Sequence, residues 1–230
     1  MRLLLILIFC FSFNLSFAQN KKPKIKRKTV AAYQINSLKN GILLIRLVSG
    51  NHRDSLLKAQ GKNEMAKQFL AQKQEENKTI ITFFKAYYNF SEVLFFYSSQ
   101  SKEVERGDLE KLDFLDENLQ TYKSDNWKGK GIFVAEIAKL ESNPDPKFQD
   151  YYTAATDTTV EVRKSYSNHD NFGFEALVFK DHQFNQLRRP FPYYERTLGG
   201  LMDNDKIIKK ANTRLWKFYN KRSKNYIILN

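Results

Sequence analysis

The sequence predicts an α/β protein, a single domain in which helices flank one mixed sheet of four to five strands. Short apolar runs of strand length alternate along the chain with longer segments in which apolar residues recur every three or four positions. This alternation is typical of layered folds in which helices cover the faces of a sheet. Nineteen Phe and twelve Tyr among 230 residues supply enough large side chains for one sizeable core.

Four apolar runs, each bounded by turn-forming or polar residues, are predicted to be the main strands. They lie near residues 42–48, 93–98, 132–138 and 175–180. The run at 93–98 is apolar on both faces, as expected of a central strand. We expect the first strand to extend back toward Ala31, and a β-branched stretch at 158–162 to form an edge strand.

Helical spacing of apolar residues predicts two long helices, near residues 63–88 and 205–222. A shorter helix is expected before the first of them, opened by Asp54 and ended near Gly61. We expect Asn89 to end the first long helix in a left-handed conformation, which Asn adopts more readily than most residues. The chain has no repeat with a period of about 20–50 residues, which argues against a solenoid or a propeller.

The N-terminal residues have the layout of a secretory signal peptide. Arg2 precedes an unbroken apolar run at 3–11, and the small residues Ser16 and Ala18 stand at the positions that a signal peptidase reads. Cleavage would therefore leave Gln19 as the first residue of the mature chain. The sequence predicts an exported protein, located in the periplasm or outside the cell.

Two alternatives to a cleaved signal fit the same segment less well. The apolar run is shorter than the roughly 20 residues that a membrane-spanning helix needs. A lipoprotein site would need a small residue before Cys10, where this chain has Phe9. The predicted organisation is thus a signal peptide at 1–18, a basic disordered leader at 19–30 and one α/β domain at 31–230, with no transmembrane segment in the mature chain.

The net charge of +13 is concentrated at the two ends of the mature chain. Six cations lie within residues 21–28 and eight within 206–224, while the middle of the chain is close to neutral. Basic ends of this kind favour an anionic partner, such as an acidic envelope polymer, an anionic lipid or an acidic protein. The charge would also suit nucleic acid, but export separates the protein from intracellular nucleic acid.

Cys10 is the only cysteine and leaves with the signal peptide, so cysteine-based catalysis and disulfides are excluded from the mature chain. The three histidines, His52, His169 and His182, are isolated from one another in the sequence. A zinc site needs three or four ligands in register. The sequence therefore indicates neither a metal nor a cofactor.

Three segments, at 89–98, 178–181 and 186–194, together resemble a family of exported bacterial proteins of unknown function. The resemblance extends over roughly residues 40–220 and implies no activity. Relatives in this resemblance often carry Cys-Pro where this chain has Ser91 and Glu92, which implies that any thiol function there is lost. The order of elements also resembles the thioredoxin-like fold, without the paired cysteines that follow its first strand.

Two clusters near the end of the last main strand could carry chemistry. Asp181 and His182 form an acid/base pair where α/β sites gather, although polar turn residues are common there too. A second cluster combines cations with aromatic rings that could hold an anion or a sugar, and it consists of Arg188, Arg189, Tyr193 and Tyr194. The alternative is a proline-stiffened segment that packs its rings into the core.

The predicted C-terminal helix presents Lys210, Arg214 and Lys217, which could bind an anionic surface or could simply be solvated. We favour an exported, non-enzymatic envelope protein that binds a partner or an anionic surface. The alternative is an envelope enzyme, either a hydrolase that uses Asp181 and His182 or a degenerate thioredoxin-like protein. Convergence of His182, an acid and Arg188 or Arg189 in one pocket would favour the enzyme.

Overall fold

The structure is a computed structural model, and it describes residues 27–140, 174–197 and 204–222. Within these residues, one mixed sheet of seven strands is flanked by five α-helices. The predicted α/β class and the single sheet are therefore confirmed. The sheet has more strands than expected because three edge segments of only two or three residues also pair.

The four predicted strands form the middle of this sheet, with the short segments outside them. In chain order the strands are β1 (Ile42–Leu47), β2 (Glu92–Tyr97), β3 (Phe114–Leu115), β4 (Thr121–Tyr122), β5 (Ile132–Lys139), β6 (Glu175–Asp181) and β7 (Tyr194–Arg196). Their order across the sheet is β4-β3-β2-β1-β5-β6-β7. β1 is central and parallel to both β2 and β5, whereas all other neighbours are antiparallel. Burial on both faces explains the four consecutive apolar residues at 42–45, with which β1 begins.

Within the described residues, one α-helix precedes these strands, three connect them and one follows them. They are α1 (Arg27–Lys39), α2 (Asn51–Ala59), α3 (Asn63–Tyr87), α4 (Ser101–Arg106) and α5 (Asn204–Arg222). The long helices match the predicted ones, and Gly61, with a φ of 73°, separates α2 from α3 as expected. Asp54 does not open α2, since the helix begins at Asn51 and Asp54 is buried in its first turn beside Lys58.

One face of the sheet is covered by α1, α3 and α5. Its core contains Phe84 of α3, Phe95 of β2, Phe179 of β6 and Leu215 of α5, all at most 3% exposed. The rings of Phe84 and Phe95 meet edge to face, with their centroids 6.3 Å apart. This packing places α5, the helix rich in cations, beside α1 and α3 and against the edge strand β7.

The opposite face of the sheet carries a smaller core. Leu44 of β1 and Phe96 of β2 pack there against Val104 of α4 and Leu109 of the short 3₁₀ helix that follows it. Alternate residues of a strand share a face. Arg46 therefore points to the same side as Leu44, and it joins two charged residues that are described below.

Residues 27–39 form a helix, so the prediction that the first strand extends back to Ala31 was wrong. Ala31, Ile35 and Leu38 are all buried, and their spacing of four and three residues is helical rather than alternating. The mixture of basic and small residues before Gly41 concealed this period. The helix also includes Arg27 to Val30, which the sequence placed in the leader.

Gly41 joins α1 to β1 through a close backbone approach. The amide of Ile42 donates a hydrogen bond of 2.9 Å to the carbonyl of Gly131. A Cβ on Gly41 would lie 2.2 Å from that same carbonyl oxygen. Only glycine fits at this position, so the turn that starts the central strand depends on it.

The expected left-handed end at Asn89 was also wrong. Helix α3 ends at Tyr87, the next residue, Tyr88, is already extended, and the amide of Asn89 donates to the side chain of Asn212 in α5. The predicted edge strand at 158–162 and the signal peptide at 1–18 lie outside the described residues. None of the helices in the described ranges combines the length and the apolar character that a membrane span requires.

Candidate anion-binding cleft

The segment between β6 and β7, residues 182–193, is called the strap here. It is hydrogen-bonded to the sheet and runs beside α5. The amide of Leu187 donates to the carbonyl of Phe179 at 3.0 Å, and the amide of Phe179 donates to the carbonyl of Tyr193 at 2.8 Å. Phe191 is 1% exposed and packs edge to face against Phe179 and Phe218. These contacts fix one wall of a cleft whose other wall is α5.

The cleft has a volume of about 370 Å³ and combines four cations with four aromatic rings. Two prolines complete its lining, so the walls are stiff as well as charged. The lining residues are Arg189, Pro190, Phe191, Pro192, Tyr193, Tyr194, Arg214, Lys217, Phe218 and Lys221. A volume of this order is within the usual range for small-molecule sites.

The structure brings together residues that the sequence placed in two separate hypotheses. Arg189, Tyr193 and Tyr194 come from the proline-rich segment, and Arg214 and Lys217 come from the basic helix. Arg188 and Lys210 do not line the cleft, although both lie next to residues that do. Lys221 also lines the cleft, and it was not singled out as a site residue.

Glu195 of β7 forms ion pairs with two cations of α5, Lys210 and Arg214. Its side chain is only 4% exposed, and one carboxylate oxygen accepts a hydrogen bond of 2.5 Å from Arg214. The other oxygen is ion-paired with Lys210. Arg214 also donates to the carbonyl of Tyr194 at 3.0 Å. These contacts give Lys210 and Arg214 a structural role, because they neutralise a buried carboxylate and join α5 to β7.

The three remaining cations of the cleft have no acidic partner within the described parts of the chain. Arg189, Lys217 and Lys221 are all exposed, one on the strap and two on the helix. Their charges therefore face solvent at the mouth of the cleft. Unpaired cations that converge on one cavity attract anions more strongly than the same charges dispersed over a surface.

The two tyrosines supply the aromatic surface of the cleft. Tyr193 and Tyr194 are half-buried and meet at an interplanar angle of 62°, with their ring centroids 4.9 Å apart. Tyr194 also packs against Phe174, at 5.8 Å between centroids. The ring of Tyr194 is thus held from two sides, and its position is set before any ligand arrives.

Asp181 and His182 do not form a catalytic pair in this geometry. Oδ1 of Asp181 accepts hydrogen bonds from the amides of Gln183 and Asn185, at 3.0 and 2.9 Å. Oδ2 accepts a further one of 3.0 Å from the side chain of Asn185. His182 is exposed, and neither residue lines the cleft. Asp181 closes the turn after β6, and the convergence that would favour an enzyme is not formed.

A buried charge cluster, formed by Arg46, Glu136 and Lys180, lies on the second face of the sheet and was missed by sequence reasoning. Glu136 is 7% and Lys180 5% exposed, and their charged atoms are 2.8 Å apart. Arg46 donates to the second oxygen of Glu136 at 2.5 Å and to the hydroxyl of Ser101 at 2.8 Å. The signal in the sequence is a charged residue that interrupts or directly follows the apolar run of each strand: Arg46 in β1, Glu136 in β5 and Lys180 in β6.

The cluster keeps Glu136 ionised. Burial alone would raise the pKa of Glu136, but the charges of Lys180 and Arg46, with their hydrogen bonds, together hold the pKa below its ordinary value. The negative charge of Glu136 is therefore compensated by the two cations that contact it. The cluster joins β1, β5 and β6, which makes it an electrostatic connection across the centre of the sheet.

A second cavity, of about 310 Å³, lies at the carboxyl end of β1 beside α3. The two cations that line it are paired: Lys73 with Glu76 on the helix, and Arg46 with Glu136 at the sheet. Asn77 is 3% exposed and donates to the carbonyl of Val48 at 3.0 Å. Because its cations are already neutralised, this cavity lacks the free charge that the cleft presents.

Ser91, the position at which the resemblance implies a cysteine, lies just before β2. Its hydroxyl is 2.9 Å from the hydroxyl of Tyr88. Burial raises the pKa of Tyr88, and the hydrogen bond to Ser91 offsets only part of that rise. The pair is thus a hydrogen bond between two uncharged hydroxyl groups, located between the end of α3 and the start of β2.

No group of three or more His, Cys, Asp or Glu side chains that could hold a metal ion occurs within residues 27–140, 174–197 and 204–222. No family model matches the chain, and no curated protein or solved structure matches it either. The assignment of function therefore depends on the geometry of the cleft.

Proposed function

We propose that this protein is an exported, non-enzymatic binding protein of the bacterial envelope that holds an anionic ligand in the cleft between the strap and α5. The observation that carries the proposal is the convergence of Arg189, Lys217 and Lys221, three cations without acidic partners in the described chain, on one aromatic cavity. Export is supported by the signal-like layout of residues 1–18.

The rival activity, hydrolysis by Asp181 and His182, is less well supported. The carboxylate of Asp181 already accepts three hydrogen bonds from its own turn, which stabilise it as a structural acceptor. A general base must instead reach the proton that it abstracts. The binding proposal needs only groups that are exposed and uncommitted, and the cleft provides them.

The test compares two variants that lower the net charge by the same amount. The cleft variant carries Arg189→Gln, Lys217→Gln and Lys221→Gln. Its matched control changes one arginine and two lysines that are exposed elsewhere on the surface: Lys67→Gln, Lys102→Gln and Arg106→Gln. Binding to an anionic probe would be measured by titration calorimetry at low and at physiological salt.

We expect the cleft variant to lose about 100-fold in affinity, since each cation near an anionic surface contributes roughly 1 kcal/mol. Affinity of the unmodified protein should fall as salt rises, because exposed charges are screened over about 8–10 Å. The control variant should lose much less. Equal losses in the two variants would show that net charge alone, and no site, attracts the ligand.

A further inference from the structure

We infer that the ligand of the cleft is a linear acidic polysaccharide, a chain of sugar rings that bear carboxylates. This inference rests on the proposed function and specifies its ligand. Three features of the described residues support it: the alignment of the cations, the tyrosine surface beside them, and the lack of an exposed apolar anchor around the cleft.

The cations of α5 lie in a line. Lys210, Arg214, Lys217 and Lys221 are separated by four, three and four residues, a spacing that places them on one face of a helix. With a rise of 1.5 Å per residue, this stripe is about 16 Å long. Arg189 faces the stripe from the strap. Because Glu195 neutralises Lys210 and Arg214, the part of the stripe that brings uncompensated charge to the cleft consists of Lys217 and Lys221. Cations spaced along a groove in this way fit a linear polyanion better than a compact anion.

The tyrosines add a surface that a chain of sugar rings can use. Tyr193 and Tyr194 stand at a steep angle to one another, so they offer both a ring face and a ring edge, together with two hydroxyl groups. One side of a pyranose ring is lined by C–H bonds and packs on an aromatic face, while its hydroxyls accept and donate hydrogen bonds. The fork of Arg189 matches a carboxylate with two parallel hydrogen bonds.

A membrane surface fits this site less well. Peripheral proteins that bind a bilayer usually combine cations with exposed apolar side chains that enter it. The large apolar side chains that are most exposed in the described residues are Val30, Tyr33, Val48, Leu56, Met65 and Tyr122. None of them lines the cleft. The apolar residues of the cleft, by contrast, are buried or half-buried.

The experiment uses five probes with the full chain: polygalacturonate, its neutral methyl ester, poly-L-glutamate of equal charge, phosphatidylglycerol vesicles and a single-stranded oligothymidylate. We expect polygalacturonate to bind about tenfold or more tightly than the other four probes, because it alone combines sugar rings with carboxylates. Tyr193→Leu should weaken this binding about tenfold and leave the weak binding of poly-L-glutamate unchanged. Tyr194→Phe retains the ring and should weaken it less.

The outcomes separate this inference from the proposed function. If poly-L-glutamate binds as tightly as polygalacturonate and the tyrosine variants bind normally, the cleft holds anions but does not recognise sugars, and the inference is overturned. Tighter binding of vesicles or of the oligonucleotide would overturn it too. If no polyanion binds, both fail. Because Tyr193→Leu could lower stability, its melting temperature is measured, and the comparison of polygalacturonate with its methyl ester and poly-L-glutamate tests the inference without any variant.

Discussion

Removing one cation from the buried charge cluster should lower the stability of the whole sheet. Lys180→Met leaves the carboxylate of Glu136, whose side chain is 8% exposed, with Arg46 as its remaining charged partner. Breaking a buried ion pair from one side costs about 3–5 kcal/mol. Because Arg46 still donates to Glu136 at 2.5 Å, we expect a loss near the lower end, about 3 kcal/mol.

The loss should depend on pH, and its sign follows from the two charged neighbours. In the unmodified protein the pKa of Glu136 is lowered, so its contribution to stability is complete above the unfolded value of about 4.3 and is lost as pH falls through the folded pKa. In Lys180→Met, the buried carboxylate of Glu136 has only Arg46 to offset the cost of its burial. Protonation of Glu136 at low pH removes that buried charge and therefore stabilises the variant. The difference in unfolding free energy between the unmodified protein and Lys180→Met should therefore become smaller as the pH is lowered from 7 to 4.

Urea unfolding followed by tryptophan fluorescence at both pH values measures this, since the chain has two tryptophans. The control is the double variant Lys180→Met with Glu136→Leu, which replaces the pair by apolar side chains. Such replacements are often neutral or stabilising, so we expect the double variant to regain most of the loss. If the double variant is as unstable as the single one, or if the difference widens at low pH, the argument from an uncompensated carboxylate is wrong.

Three further outcomes are expected. Phe95→Ala should cost about 3–5 kcal/mol in urea unfolding, because the ring is 3% exposed; a cost below about 1 kcal/mol would contradict its burial. Gly41→Ala should lower the stability more than Gly107→Ala, because a Cβ at Gly41 would clash with backbone atoms. At Gly107 the space is open, and the expected cost is only the strain of an alanine at a φ of 81°, about 1–2 kcal/mol. A larger loss for Gly107→Ala would contradict the structure. N-terminal sequencing of the exported protein should begin at Gln19, whereas a membrane product that retains Met1 would exclude cleavage.

The main strands could be predicted because each apolar run is about six or seven residues long, a length that is typical of a buried strand. A run such as 93–98 is too short for a helix and apolar on both faces, so a central strand is the only element that buries it. α1 was not recognised, because only two of its four buried residues, Ile35 and Leu38, are large, while the other two, Ala31 and Ala32, are small and lie among polar and basic residues. The weak helical periodicity of residues 31–38 was therefore assigned to the neighbouring strand, whose apolar run is much stronger.

The cleft could be predicted only in halves. The strap and α5 each showed an unusual local composition, with Arg189 beside two tyrosines in one and a series of cations in the other. Their meeting depends on the antiparallel pairing of β6 with β7 and on the packing of α5 against β7, and no local pattern reports such contacts. The buried charge cluster has the same origin, since Arg46 and Glu136 are 90 residues apart.

The cations of α5 show why charge in a sequence does not assign function by itself. The spacing predicts one stripe, yet Glu195, on a strand 15 to 19 residues before them, neutralises Lys210 and Arg214 from beneath. Substituting either cation would leave a buried carboxylate short of a partner, and lower binding would then be inseparable from lower stability. Lys217 and Lys221 have no such commitment in the described chain. The function of the helix is therefore measured by substitutions at these two positions with Arg189, and its structural role by those at Lys210 and Arg214.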